Sequence, residues 1–251
     1  MLSQKRKMLG LWHGLIVDGL ARLLYCYVDT IVAQSKGMAA DLIEHYGIHP
    51  SQITCIYNPV SPGILRQTEI PAPFRRHELL YVGRLAALKG LDDLLDIFAE
   101  VAKIDNEAML RLVGQGPEQL KLEQKASMLG LAGRVIFEGF QPNVTAYYQR
   151  AKAVVLTSYY EGFPNVLAEA ISVGTPVVAF DCPSGPSEII QDGINGCLIR
   201  DRDKKAMAAA LLDILSCPER FQREQVRATA KKFSRDNILP QYLAILENQQ
   251  V

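Results

Sequence analysis

The chain lacks both a charge excess and a cysteine pattern that would frame a metal site or a disulfide network. It carries 27 basic and 27 acidic side chains, whereas a dedicated nucleic-acid binder would show a basic surplus. It has five cysteines and four histidines, and no Cys-x-x-Cys pair occurs. Zinc sites and disulfide frameworks need such patterns. We therefore expect no nucleic-acid partner, no zinc and reduced cysteines.

A long uninterrupted apolar run is also missing. The apolar stretch near the N-terminus is broken by His13, Asp18 and Arg22, and no small-residue cleavage site follows it. A membrane-spanning helix needs about 20 consecutive apolar residues, and a signal peptide needs a cleavage site. We expect a soluble cytoplasmic chain. The basic run Lys5-Arg6-Lys7 before Trp12 leaves open a peripheral contact with the inner face of the plasma membrane.

Short apolar runs typical of buried strands alternate with helical spacing throughout the chain. Strands are predicted at residues 30–33, 53–57, 79–82, 109–113, 135–137, 154–156 and 176–179. Helices are predicted at residues 15–28, 36–46, 90–104, 117–130, 147–150, 167–173, 188–190, 204–216 and 218–233, with a polar tail after them. Such alternation with short connections predicts an α/β fold in which helices cover both faces of a parallel sheet.

Prolines interrupt this pattern between residues 58 and 77. Four of them, Pro59, Pro62, Pro71 and Pro73, fall in this stretch and indicate a linker or domain boundary. We predict a partial first domain and linker over residues 1–70, a complete second domain over residues 71–235, and a C-terminal helix or tail over residues 236–251.

The stretch Glu161-Gly-Phe-Pro-Asn-Val-Leu-Ala-Glu169 follows a predicted strand and opens an apolar helix. The first turn of a helix has free N–H groups and partial positive charge, which suit a phosphate. A carboxylate one turn further on would repel phosphate but can accept from hydroxyl groups, as on a ribose. The combination indicates a nucleotide site in a transferase or a dehydrogenase.

Two further polar loops follow predicted strands, and ligands of parallel sheets bind at the carboxyl ends of strands. Arg84 and Lys89 can both reach one diphosphate and offset the charge of a leaving nucleotide; two solvated surface cations are the alternative. Gly114-Gln-Gly116-Pro117 is either a tight turn or a weak dinucleotide fingerprint. In the second case Glu138 could contact a ribose, which keeps an NAD-dependent enzyme open.

Taken together, these motifs resemble the retaining glycosyltransferases of the GT-B fold, group 1 (family 4), over residues 12–235. The resemblance rests on Gly83-Arg84 with Lys89-Gly90, Gly114-Gln-Gly116-Pro117, the stretch 158–169, Gly174-Thr-Pro-Val-Val178 and Ser184-Gly-Pro-Ser-Glu-Ile189. It implies a complete C-terminal Rossmann-like domain that binds the nucleotide sugar. It also implies a partial N-terminal Rossmann-like domain, which in the family binds the acceptor and of which we expect only the last βα unit here.

The resemblance also assigns roles to single residues. Glu169 is expected to bind the ribose, and Glu161 to lie near the donor sugar and stabilise positive charge at its anomeric carbon. His13 is expected near the cleft, with a purely structural role equally open. The expected catalytic set is Glu161, Arg84, Lys89 and His13. The expected donor-binding set is Gly83, Arg84, Lys89, Gly114, Gly116, Phe140 and Gln141 (both at the base), Glu161, Gly162, Phe163, Pro164, Asn165, Val166, Leu167 and Glu169.

The predicted reaction moves a sugar from a nucleotide-sugar donor, which we expect to be UDP-linked, to a glycan or lipid-linked acceptor with retention of configuration. The resemblance places it in bacterial lipopolysaccharide or other cell-surface polysaccharide biosynthesis. No metal or cofactor is expected, although Asp201-Arg-Asp203 has the spacing of an acidic metal dyad. The alternative is a catalytically incomplete nucleotide-sugar-binding fragment that needs a missing N-terminal half. Its exposed apolar surface would favour a homodimer.

Overall fold

A computed structural model describes residues 19–20, 22–25, 27–65, 76–217 and 219–248. In the first part of the chain, strand β1 (Ile31–Ala33) pairs in parallel with β2 (Ile53–Cys55), and helix α1 (Lys36–Tyr46) connects them. The Ser35 hydroxyl accepts from the Met38 N–H and so begins α1, and Gly47 ends it in the left-handed region with φ +69°. This is the predicted βαβ unit.

A second sheet of six parallel strands forms the centre of the molecule. Its strands are β3 (Glu78–Val82), β4 (Met109–Val113), β5 (Val135–Gly139), β6 (Ala153–Leu156), β7 (Val177–Phe180) and β8 (Gly196–Ile199), in the order β5-β4-β3-β6-β7-β8. Because β3, β4, β6 and β7 are buried on both faces, they are apolar runs rather than an alternation, apart from the buried Glu78 and Arg111. The predicted α/β fold with a parallel sheet is confirmed.

Helices connect and follow these strands. They are α2 (Pro62–Leu65), α3 (Leu91–Ile104), α4 (Gln119–Met128), α5 (Thr145–Arg150), α6 (Asn165–Ser172), α7 (Pro186–Ile189), α8 (Lys204–Ser216), α9 (Arg223–Thr229) and α10 (Arg235–Asn248). Helix α3 packs against α4 and α8, whereas α6 packs against α9. Their apolar faces and the sheet form one core, in which Tyr81, Phe98, Tyr148, Phe180 and Phe233 are among the largest fully buried side chains.

The strand order creates a switch point between β3 and β6. From β3 the chain moves outward to β4 and β5, and from β6 it moves outward in the other direction. The connections that leave β3 and β6 therefore diverge and open a crevice at the carboxyl end of the sheet, where ligands of doubly wound folds bind.

Glu188 on α7 joins the second sheet to the first. Its carboxylate accepts from the N–H groups of Lys36 and Gly37 at 2.8 and 3.0 Å, and from the Tyr57 hydroxyl at 3.1 Å. A carboxylate on the first turn of α1 is favoured by the helix dipole. Burial and the neighbouring Glu188 carboxylate raise the pKa of Tyr57 to about 12, so this hydroxyl stays protonated and donating.

Some elements differ from the sequence predictions. Strand β8 was missed because it begins with glycine and depends on its pairing with β7. The single helix predicted over 218–233 is interrupted: α9 ends at Thr229, and a 3₁₀ turn covers Ala230–Phe233. Of the two alternatives predicted for the C-terminal residues, a helix or a tail, the structure has the helix: α10 contains Pro240 and is anchored by Ile238, which is 1% exposed.

Some predictions fall outside the described residues. These are the ones on His13 and Lys5-Arg6-Lys7, and most of the linker prediction over 66–75. The proposed domain boundaries stay predictions. Within the described ranges, no helix combines the length and apolar composition needed to cross a bilayer.

Candidate functional site

The loop after β3 and the loop after β6 meet at the switch point. Lys89 Nζ lies 2.7 Å from Glu161 Oε1, and the Ser158 hydroxyl donates to the same oxygen at 2.6 Å. The Glu161 side chain is only 9% exposed and that of Lys89 25%. Opposite charges attract more strongly in such a crevice than on the open surface. Two predicted site residues that are 72 positions apart are thus in direct contact.

Close packing at Gly90 brings these two loops together. Gly90 has φ +62°, and a Cβ there would overlap the carbonyl oxygen of Thr157. The Thr157 hydroxyl donates to the carbonyl oxygens of Lys89 and Gly90 at 3.1 and 3.0 Å, and the Tyr159 N–H donates to the Leu88 carbonyl at 3.0 Å. The glycine after Lys89 is therefore required by the approach of the second loop, and not only by the turn.

Arg202, which the sequence patterns did not single out, secures the end of β6 from the other side. Its guanidinium donates to the carbonyl oxygens of Thr157 (3.0 Å) and Ser158. It also lies 4.3 Å from the Tyr159 ring centre and pairs with Asp93 on α3 at 3.2 Å. Arg202 thereby orders the main chain that leads into Glu161. In the sequence, Arg202 lies in a run of six charged residues, 200–205, and nothing in that run distinguishes it.

Helix α6 begins directly beyond this loop, and its first turn is open to a ligand. In the part of the chain that the structure describes, the N–H groups of Phe163, Asn165 and Val166 have no hydrogen-bond partner. The N–H of Leu167, a fourth predicted phosphate donor, already donates to the Pro164 carbonyl at 2.9 Å. Three free N–H groups at the positive end of a helix form a site for an anion.

Aromatic packing holds this first turn in place. The Phe163 ring stacks on Tyr57 and meets Phe233 edge to face, with ring centres 5.5 and 5.4 Å apart, and Phe163 is 7% exposed. Asn58 Nδ2 donates to Asn165 Oδ1 at 3.0 Å. The side chains of Phe163 and Asn165 thus serve the structure, which leaves their main-chain N–H groups for the predicted role.

Glu169 lies one turn further along α6. Its Oε2 accepts from the Tyr148 hydroxyl at 2.8 Å. Burial raises the pKa of the Glu169 carboxyl above its usual range, and the hydrogen bond from Tyr148 offsets part of this rise. A half-buried carboxylate with no positive partner among the described residues is costly for folding, so a ligand is the expected reason for its presence.

Replacing Glu169 by glutamine should therefore stabilise the free protein. Because the pKa of Glu169 is raised in the folded state, folding favours the protonated carboxyl. In the wild type, the contribution of Glu169 to the free energy of unfolding is therefore present at low pH and is lost as the pH rises through the raised pKa. Melting temperatures measured from pH 4 to 8 should show the variant above the wild type at pH 8, with the gap closing toward pH 4. The exposed Glu107→Gln is the control, and a gap that is constant with pH would contradict the assignment.

Gly114 and Gly116 let the loop after β4 pack directly on the loop after β3, whereas a Cβ at Gly83 would meet the Tyr81 hydroxyl. A Cβ at Gly114, whose φ is +139°, would overlap the carbonyl oxygen of Gly83, and one at Gly116 would overlap that of Leu85. The Gly114 N–H donates to the Gly139 carbonyl at 2.8 Å. The tight-turn interpretation thus accounts for these glycines by packing alone.

Arg84 and Phe140 extend from the loops after β3 and β5. Arg84 is exposed, and its side chain makes no hydrogen bond or ion pair with another described residue. Its carbonyl accepts from the buried Tyr81 hydroxyl at 2.9 Å, which fixes the turn. Phe140 is 65% exposed, and the Gln141 amide donates to the Glu138 carbonyl at 3.2 Å. This geometry does not test the predicted role of Arg84 at the diphosphate, nor those of Phe140 and Gln141 at the base.

Glu138, the ribose ligand in the dehydrogenase alternative, is already engaged. Its carboxylate pairs with Arg111 and accepts from the Tyr147 hydroxyl at 3.3 Å. Arg111 also pairs with the buried Glu78 at 2.7 Å. Glu138 therefore belongs to an ion network within the sheet, which removes the feature that kept the NAD alternative open.

The acidic pair in Asp201-Arg-Asp203 also has structural partners. Asp201 pairs with Arg202 at 2.8 Å, and Asp203 caps α8 by accepting from the Ala206 N–H at 2.9 Å. Within the described ranges, no three His, Cys, Asp or Glu side chains come together as metal ligands. Metal independence stays a prediction.

Two protein-family models together match nearly the whole chain. Residues 68–233 match the model described as "Glycosyl transferases group 1", and residues 5–63 match "Glycosyltransferase Family 4". The boundary between the two matches falls in the proline-containing stretch.

Individual relatives agree with these matches. The lipopolysaccharide 1,6-galactosyltransferase of Salmonella typhimurium is 32% identical over 82% of this chain and 58% of its own length. The solved lipopolysaccharide outer core galactosyltransferase WaaB, in its apo form, is 30% identical with a TM-score of 0.76, over 89% of this chain and 63% of that one. A mutant of S. aureus TarM with bound fondaparinux, α-GlcNAc-glycerol and UDP is 25% identical with a TM-score of 0.73, over 90% and 44%. The chain thus spans about three fifths of the first two relatives and less than half of the third.

Proposed function

This chain belongs to the group 1 glycosyltransferases, and we propose that it transfers a sugar from a UDP-sugar to a glycan or lipid-linked acceptor with retention of configuration. The pathway that we propose is the biosynthesis of lipopolysaccharide or another bacterial cell-surface glycan. Two observations on relatives support this: the Salmonella relative acts on lipopolysaccharide, and the TarM structure contains UDP.

The observation that carries the proposal is the contact between Lys89 and Glu161 at the switch point, 2.7 Å apart, next to the open first turn of α6. An ammonium group and free helix N–H groups together suit a diphosphate. A carboxylate in the same place suits the positive charge that develops at an anomeric carbon when the diphosphate leaves.

Each group then has one task in the transfer. Lys89, Arg84 and the N–H groups of α6 hold the diphosphate and stabilise its growing negative charge. Glu161, oriented by the Ser158 hydroxyl, stabilises the sugar as the bond from its anomeric carbon to the phosphate oxygen breaks. The acceptor hydroxyl forms the new bond on the same face, and its proton passes to a phosphate oxygen of the departing diphosphate. No nucleophile from the chain is required.

A thermal-shift series with UDP, GDP, ADP and NAD tests the donor site. At about 100 times its Kd, a ligand adds about 2.7 kcal/mol to the free energy of unfolding, which raises the melting temperature by a few degrees. We expect a shift with UDP that Glu169→Ala abolishes and the exposed Glu107→Ala keeps.

Two other outcomes would change the proposal. No shift with any nucleotide, from a wild-type protein that melts cooperatively, would contradict a working donor site in this chain. A UDP shift without transfer from a UDP-sugar to any tested acceptor would support the nucleotide-sugar-binding fragment in place of the enzyme.

A further inference from the structure

Tyr148 on α5 is fully buried, with 0% of its surface exposed. Its main chain is fixed by the Thr175 hydroxyl, which donates to the Tyr148 carbonyl at 2.7 Å. Its ring fills the core, but a phenylalanine would fill the same space. Packing therefore does not explain the hydroxyl, whose partner is Glu169 Oε2 at 2.8 Å.

The Glu169 carboxylate depends on this one contact. Among the described residues, the Tyr148 hydroxyl is the only hydrogen-bond partner of the Glu169 side chain, and Oε1 has none. A glutamate side chain has three rotatable bonds, and ordering it on ligand binding costs conformational entropy. A carboxylate that is already held by one oxygen presents the other without that cost.

We propose that Tyr148 is a positioning residue of the nucleotide site: its hydroxyl holds Glu169 Oε2, so that the carboxylate is preset to accept from the ribose hydroxyls. This inference rests on the proposed function, in which Glu169 binds the ribose. Tyr148 itself is buried behind the carboxylate and acts on the nucleotide only through Glu169.

The neighbouring tyrosine on α5 supplies a matched control. Tyr147 also donates to a carboxylate, Glu138 at 3.3 Å, but Glu138 belongs to the ion network with Arg111. Tyr148→Phe and Tyr147→Phe therefore each remove one hydroxyl from the same helix, and only the first removes a contact to Glu169.

Binding of UDP and of 2′,3′-dideoxy-UDP, measured by titration calorimetry on the full chain, tests the inference. The wild type should bind UDP more tightly than the dideoxy analogue. Tyr148→Phe should weaken UDP binding about three- to tenfold, the range expected for one hydrogen bond, and leave dideoxy-UDP binding unchanged. Tyr147→Phe should change neither.

Other outcomes would overturn it in distinguishable ways. Equal weakening of both ligands by Tyr148→Phe would show a general structural role, and no weakening of either would show that the hydroxyl is dispensable. If the wild type binds both ligands equally, Glu169 does not contact the ribose, and the inference fails while the nucleotide site stands. If the wild type binds neither ligand, the proposed donor site fails, and the inference fails with it.

Discussion

Replacing Arg111 by methionine should lower the free energy of unfolding by about 3–5 kcal/mol, as expected when one partner of a buried ion pair is removed. Arg111 lies on β4, which is flanked by β3 and the edge strand β5, and its guanidinium contacts Glu78 Oε2 through Nε at 2.8 Å and Nη2 at 2.7 Å. The Glu78 side chain is 2% exposed, and its Oε1 has no hydrogen-bond partner among the described residues. Methionine would fill much of the space but leave this carboxylate buried without a cation.

Urea unfolding at pH 7 measures this loss, provided that the slope with denaturant is unchanged. The control Lys103→Met removes an ion pair that is 67% exposed on the lysine side and should change stability by less than about 0.5 kcal/mol. The double variant Glu78→Gln with Arg111→Met removes the stranded charge and should recover most of the loss. A loss below about 1 kcal/mol in Arg111→Met would show that water reaches Glu78 and that the pair is not needed.

Replacing Lys89 by glutamine should greatly weaken UDP binding. A hydrogen bond to a charged group contributes about 1.5–3 kcal/mol, so the affinity for UDP should fall about 10- to 100-fold, whereas the affinity for uridine should not change. Where sugar transfer is measurable, kcat should fall about 10²- to 10³-fold, because the lost ammonium acts on charge that develops in the transition state.

Two variants separate binding of the diphosphate from support of Glu161. Lys103→Gln, on the distant end of α3, is the matched control for loss of a lysine. Glu161→Gln keeps Lys89 but frees it from its 2.7 Å ion pair, so UDP affinity should be kept or increased while transfer is lost. An equal loss of UDP and uridine binding in Lys89→Gln would instead mean that Lys89 only stabilises the loop.

Local sequence patterns predicted much of the fold because most strands of the main sheet are buried on both faces. Runs such as 109–113 and 154–156 have few polar residues, so their positions followed directly from composition. Strand β8 was not predicted in this way, and the C-terminal segment that forms α10 was left open between a helix and a tail. Gly196 is a poor strand former by itself, and Pro240 interrupts the helical pattern, so both elements depend on neighbours that are distant in the sequence.

The residues of the candidate site also divide into those that the sequence singled out and those that only the structure revealed. The sequence alone predicted roles for Lys89, Glu161 and Glu169, since packing alone seldom places charged residues in the loops that follow buried strands or within an apolar helix; these roles stay predictions. It did not single out Tyr148 or Arg202, because a tyrosine in a short helix and an arginine in a polar loop are ordinary in their local context. Tyr148 donates to Glu169, which lies 21 positions away in the sequence. Arg202 donates to the end of β6, which lies at least 44 positions away.

By itself, the sequence determined the α/β class and the group 1 glycosyltransferase motifs, and it predicted the charged residues of the proposed donor site, because each depends on the order of residues within short stretches of the chain. Only the tertiary structure decided that Lys89 meets Glu161, that Glu138 pairs with Arg111, and that Glu188 joins the two sheets. These contacts depend on strand order, which places β3 beside β6. Strand order is set by how the whole set of apolar faces is buried together, and no local stretch of the chain contains that information.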